Sequence, residues 1–136
     1  MKKRFLLLVF LLANIYCYAQ DDYKVVFDIT SKDPEDYNTI IRQVTAISKS
    51  NPAAQLEVAV YGEALDMVLK NKSTIAPALT ELINQKKTTV KVCGFTMKRN
   101  NKDASQLLPG VEIVPDAIYE IISKQREGWG YIKVAH

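Results

Sequence analysis

The sequence predicts an α/β fold: a single three-layer domain with a mostly parallel five-stranded sheet flanked by helices. Three observations predict it. Short apolar runs rich in β-branched residues recur at residues 24–29, 56–61, 89–93, 111–114 and 129–134. Between them lie stretches whose apolar residues fall at helical spacing. Pro, Gly, Asn and Asp punctuate the boundaries. Strands that alternate with helices make βαβ units, and their crossovers are right-handed by default.

The first run, KVVFDI at residues 24–29, is a strand by its β-branched content. Asp33 then suits a helix cap and Pro34 the first helical position. Glu35 and Asp36 complement the positive helix start. Tyr37, Ile40, Ile41, Val44 and Ile47 share one face, and Asn51-Pro52 ends the helix. Leu56 to Tyr61 forms the second strand. Gly62 turns the chain into a short helix carrying Leu65, Val68 and Leu69. After the break at residues 71–74, Ile75, Leu79, Leu82 and Ile83 mark another helix, ending near Lys86-Lys87.

Thr89 to Cys93 is the third strand, and a short helix is expected over Thr96 to Asn100. Pro109-Gly110 turns the chain into a fourth strand, Val111 to Val114. Pro115-Asp116 opens a last helix with Ala117, Ile118, Ile121 and Ile122 as its apolar positions, and Gly128 stops it. Trp129, Tyr131, Ile132 and Val134 supply the closing strand. Trp129 and Tyr131 are expected in the core or at a subunit interface.

The chain begins with a basic cluster, Lys2, Lys3 and Arg4. An apolar stretch follows, Phe5 to Ala13, too short to span a bilayer as a mature helix. Cys17 and Ala19 are small residues that suit a cut after Ala19, so residues 1–19 are expected to be a signal peptide and residues 20–136 the domain. A lipoprotein cut before Cys17 wants a small preceding residue, where Tyr16 stands. Export to the periplasm is the resulting expectation.

Removal of residues 1–19 from the 136 leaves 117, enough for one core. It leaves fifteen basic against fifteen acidic residues, because the segment holds three of the eighteen Lys and Arg and none of the Asp and Glu. A neutral chain has no basic footprint for nucleic acid. No second apolar stretch is long enough to span a membrane.

The residue chemistry is sparse. The mature chain would hold one cysteine, Cys93, and one histidine, His136, at the terminus. That excludes a structural zinc site and a catalytic cysteine or serine served by a positioned imidazole. No glycine-rich phosphate loop follows the first strand, so no cofactor is expected. What remains is thiol chemistry without a general base, such as sulfur transfer or thiol exchange.

Cys93 ends a strand just before a helix start, a position where unpaired N–H groups favour a thiolate. Gly94 removes bulk beside the sulfur, Thr96 offers a hydroxyl and suits a cap of the short helix, and Lys98 and Arg99 follow within a turn. In a parallel sheet, ligands gather beyond the carboxyl ends of the strands. The Asp28-to-Asp33 loop, the Tyr61-Gly62-Glu63 turn and the Cys93 to Thr96 segment all fall at that edge. Tyr61, Gly62, Gly94, Phe95 and Thr96 are therefore candidate binding residues around Cys93. A lone cysteine equally serves as a buried small hydrophobe, and Gly62 as a plain turn residue.

Taken in order, VYGEA at 60–64, VKVCGFTMKR at 90–99, LLPGVEIVP at 107–115 and QREGWGYI at 125–132 resemble the DsrE-like family, with its YchN-like fold. The resemblance covers almost all of the mature chain. It implies a small α/β domain that assembles into trimers or hexamers. In sulfur-relay members, a cysteine at the end of the third strand accepts a persulfide and passes it on, and Cys93 is the matching position. Phe95 stands where the family often has Asn.

The resemblance and the strand-end cysteine together imply an exported sulfur carrier that exchanges sulfur with a donor or acceptor protein. The alternative is a non-catalytic oligomeric module with an interface pocket for a small ligand or partner protein.

Overall fold

A computed structural model describes residues 22–135. The expected signal segment and His136 lie outside the described residues. Among the described residues, five strands and four α-helices alternate. They are β1 (Lys24–Ile29), α1 (Pro34–Ser50), β2 (Gln55–Val60), α2 (Ala76–Asn84), β3 (Thr89–Cys93), α3 (Gly94–Arg99), β4 (Glu112–Val114), α4 (Ala117–Arg126) and β5 (Gly130–Val134). A tight 3-10 helix, Gly62–Val68, follows β2.

The strands make one sheet in the order β4-β3-β2-β1-β5, and every pairing is parallel. The fold class is that expected from the alternation. Helix α1 starts where Asp33 accepts the Glu35 N–H at 2.9 Å, with Pro34 at the first position. A cap of this kind stabilises by about 1 kcal/mol.

The two sheet faces differ sharply. One carries Phe27, Ile29, Val58, Val60, Val90 and Val92, packed against Ile40 and Val44 of α1, Leu79 of α2 and Met67 of the 3-10 segment. The other is covered by α4, and its buried apolar cluster is only Val26, Ala59 and Ile121. Alternation places Asp28, Glu57, Lys91 and Cys93 on this second face. The burial that stabilises the domain lies on the first face, which leaves the second free for polar groups.

Two expectations change, and the faces of α4 become clear. Helix α3 begins at Gly94, two residues before Thr96, because the chain turns from strand to helix with no intervening loop. The fourth strand is shorter than expected and starts at Glu112, with Val111 packed into the core before it. In α4 only Ala117 and Ile121 are buried, and Ile118 and Ile122 point outwards because the small apolar cluster beneath has room for one stripe.

Candidate functional site

Cys93 occupies the cap position of α3 and is the free cysteine among the described residues. It is 6 % exposed and forms part of the wall of a cleft of about 480 Å³. Tyr61, Phe95, Thr96, Lys98, Arg99, Asp116 and Ile118 form the rest. The cleft lies at the carboxyl ends of β2, β3 and β4.

Two helix starts face the sulfur. Both the start of α3, at Phe95 and Thr96, and the start of α4, at Ala117, favour the thiolate, while the Phe95 N–H itself donates to the Pro115 carbonyl at 3.4 Å. The capping of α4 explains why Ala117 is available. Asp116 accepts from Ile118 at 2.9 Å and Tyr119 at 3.4 Å, one position further in, so the cap does not take up the first N–H of the helix. The Thr96 hydroxyl acts in the same direction. Burial pushes the Cys93 thiol up, but these groups outweigh it, and its pKa lies below that of an ordinary thiol. In the protonated state the thiol faces the Pro115 carbonyl at 4.0 Å, a weak contact.

Thr96 does not cap α3, as its place in the sequence suggested. It lies inside the helix and is 5 % exposed. Its hydroxyl accepts the Gly62 N–H at 3.2 Å, which ties the exit of β2 to the cysteine segment. Gly62 has φ +62°, a left-handed turn that disfavours any side chain, and its N–H is occupied by Thr96 rather than aimed into the cleft. Gly94 has a packing reason. A Cβ there would stand 3.2 Å from the Val114 carbonyl oxygen, so only glycine lets α3 start this close to β4. Of the candidate residues, Tyr61, Cys93, Phe95 and Thr96 meet in the cleft, whereas Gly62 and Gly94 shape its frame.

Phe95 is 60 % exposed and Ile118 53 %, so the cleft has an apolar rim beside its two cations. Tyr119, Ile122 and Ile113 are exposed nearby in sequence.

Two polar clusters on the same sheet face were not singled out from the sequence. In one, buried Asp28 accepts from the Tyr131 hydroxyl at 2.6 Å, the Tyr61 hydroxyl at 3.4 Å and Lys133 Nζ at 3.1 Å. Burial first, and Asp28 next, push the Tyr61 phenol up to about 12. The hydrogen bond to Asp28 first, then burial, push Tyr131 up to about 12. In the other, Lys91 bridges Glu57 and Glu120, and Lys124 lies 4.6 Å above the Trp129 ring. Glu57 is 1 % exposed, and burial raises its pKa despite Lys91 and Lys124. The alternation of β2 and β3 was the available signal, since Glu57 and Lys91 interrupt apolar runs.

Among the described residues, no His, Cys, Asp and Glu side chains gather in a group of three or more that could hold a metal. No described helix is long and apolar enough to cross a membrane.

The comparisons agree with this architecture. A protein of unknown function, MTH1491 from Methanobacterium thermoautotrophicum, is similar over 82 % of this chain and 99 % of its own, at 28 % identity and a TM-score of 0.78. The ychN protein from E. coli shares the fold, with a TM-score of 0.67 at 17 % identity over 81 % of this chain and 97 % of its own. No curated protein matches. The DsrE/DsrF-like family matches residues 24–134, essentially the whole alternation of strands and helices and the strand-end cysteine with it, and the chain belongs to that family.

Proposed function

We propose that this chain is an exported sulfur-handling protein in which Cys93 accepts a sulfane sulfur and carries it as a persulfide. Family membership supports a general association with sulfur relay. The observation that carries the finer reading is the place of Cys93 at the cap of α3, on the wall of an open cleft, where the starts of α3 and α4 and the Thr96 hydroxyl lower its pKa. Such a setting stabilises a thiolate without a base, and a thiolate is the attacking species in sulfur exchange.

The step balances without an oxidant. The Cys93 thiolate attacks the outer sulfur of a donor R–S–SH. A new S–S bond forms on Cys93, the donor S–S bond breaks, and R–S⁻ leaves with the electron pair. The products are Cys93–S–SH and the donor thiolate. An acceptor thiolate removes the sulfur by the same exchange. Lys98 and Arg99 on the cleft wall favour an anionic donor or acceptor, and Tyr61, Phe95 and Thr96 form the surfaces it meets.

In this reading residues 1–19 direct export to the periplasm. Assembly into a trimer or hexamer covers the exposed apolar residues around the cleft. Sulfur arrives from, or leaves to, a partner protein.

A second reading, an oligomeric binding module with an interface pocket, draws on the low exposure of Cys93 and the apolar rim of Phe95 and Ile118. In that case Cys93 is wall.

One experiment separates the two. The folded protein, starting at Gln20, is exposed briefly to polysulfide or to buffer, then to iodoacetamide, and weighed. The expected result is rapid labelling of Cys93 and a gain of about one sulfur after polysulfide, both absent in Cys93→Ser. Labelling only after denaturant, or an equal sulfur gain in Cys93→Ser, overturns the carrier reading.

A further inference from the structure

Helix α4 rests on the sheet through very little apolar surface: Val26, Ala59 and Ile121, with Tyr61 and Trp129 packed against them. Charges supply the remaining anchor. Lys91 Nζ on β3 reaches Glu120 Oε1 on α4 at 2.7 Å and Glu57 Oε2 at 3.1 Å. Lys124, one turn along α4, reaches Glu57 at 3.6 Å and Glu120 at 3.8 Å. The Lys91 and Glu120 side chains are 17 % and 20 % exposed, so solvent screens this pair far less than a surface one.

The place of the pair in the chain matters more than its strength. Lys91 precedes Cys93 by two positions on the same sheet face. Glu120 lies within the first turn of α4, whose Asp116 and Ile118 share the cleft wall with Cys93. The ion pair therefore joins the strand that carries the sulfur to the helix start that faces it. A small slide of α4 along β3 would move that helix start away from the sulfur.

We propose that Lys91 and Glu120 are positioning residues for Cys93: their ion pair fixes the first turn of α4 against the end of β3 and keeps that helix start facing the sulfur. This rests on the reading of Cys93 as a working thiolate. Neither side chain needs to touch the sulfur donor, and both act through the helix start that they hold in place.

The test is the pH dependence of Cys93 alkylation in the folded protein, read by mass on the peptide that contains Cys93. Glu120→Gln gives opposite signs for two mechanisms. It removes a negative charge from the neighbourhood of the thiol, and charge alone would favour the thiolate and move the alkylation midpoint to lower pH. Loss of positioning moves the midpoint to higher pH and slows alkylation at pH 7 by about 3- to 10-fold. Glu120→Asp keeps the charge, shortens the reach by one methylene, and is the milder change for folding. It is expected to move the midpoint the same way, with about 2- to 5-fold slower alkylation at pH 7.

A merely structural pair would lower the melting temperature and leave the midpoint in place. An unmoved or lowered midpoint in folded Glu120→Gln overturns the positioning role. Should that variant fail to fold, the same outcome in Glu120→Asp decides it. A wild-type midpoint at the value of an ordinary thiol overturns the thiolate reading instead, which keeps the two failures apart.

Discussion

The Thr96 hydroxyl accepts the Gly62 N–H at 3.2 Å and helps hold the Cys93 pKa down, so one side chain links the exit of β2 to the thiol at the end of β3. Thr96 is buried, so water does not readily replace its hydroxyl as the Gly62 partner. Thr96→Val keeps the shape and removes both effects. The expected outcome is a Cys93 pKa moved up towards the ordinary value, seen as roughly 3- to 10-fold slower alkylation at pH 7. Stability should fall by about 1–2 kcal/mol, because the Gly62 N–H loses its partner. Unchanged alkylation in a folded variant would show that the helix starts suffice.

Asp28 organises the other side of the same sheet edge. It is 4 % exposed and receives two phenol hydroxyls and a lysine. Asp28→Asn replaces one acceptor oxygen with a donor that faces groups already donating. A loss of about 2–4 kcal/mol is expected in denaturant unfolding. The phenols report the same change. Tyr131, held up to about 12 chiefly by the bond to Asp28, should fall further in absorbance titration than Tyr61, whose leading cause is burial. Titration curves identical to wild type would remove Asp28 as the cause.

The outward stripe of α4 carries the assembly prediction. Ile118 and Ile122 lie one turn apart and are both exposed, next to exposed Tyr119. Ile122 lies outside the cleft wall, so it tests assembly without touching the candidate site. Light scattering is expected to give a trimer or hexamer for the wild type and a smaller species for Ile122→Asp, with the circular dichroism of the fold retained. A wild-type monomer at micromolar concentration would remove the proposed assembly.

The architecture was legible because its signals are local. Strand runs, the Asp33 cap and the helical spacing of Tyr37, Ile40 and Val44 each need only a few neighbouring residues. The position of Cys93 at a strand end was legible for the same reason. The groups that lower its pKa were only half legible. Phe95 and Thr96 follow it in sequence, whereas Ala117 arrives from 24 positions away through the pairing of Cys93 with Val114. The charge network was hidden in the same way. Glu57 and Lys91 are a single polar residue each in an apolar run, and only the register that sets Glu57 beside Thr89 and Ala59 beside Lys91 brings them to one patch under α4. Ile118 and Ile122 show the limit of spacing, which marks a helix without saying which of its apolar residues this chain covers.

Glu57 yields a prediction whose sign separates two accounts of the network. Its Oε2 faces Lys91 and Lys124, while Oε1 is buried with no donor. Two lysines alone would pull its pKa down. Burial wins and raises it, while Glu120, less buried and facing both lysines, has its own pKa lowered despite burial. The proton of the network therefore resides on Glu57, and the two carboxyls titrate as a pair. The folded state then binds more protons at Glu57 than the unfolded chain does, whose glutamates titrate near 4.3. The Glu57 contribution to stability is therefore full below that value and is lost as pH rises through the folded pKa. Glu120 works in the opposite window: its contribution is present above the ordinary value and is lost as pH falls through its lowered one. Glu57→Gln imitates the protonated acid at every pH and still accepts from Lys91. Denaturant unfolding across the range from about pH 4 upwards should show the wild type losing stability relative to Glu57→Gln as pH rises. The reverse slope would mean that Glu57 is ionised and held by Lys91 and Lys124, and that burial does not dominate beneath α4.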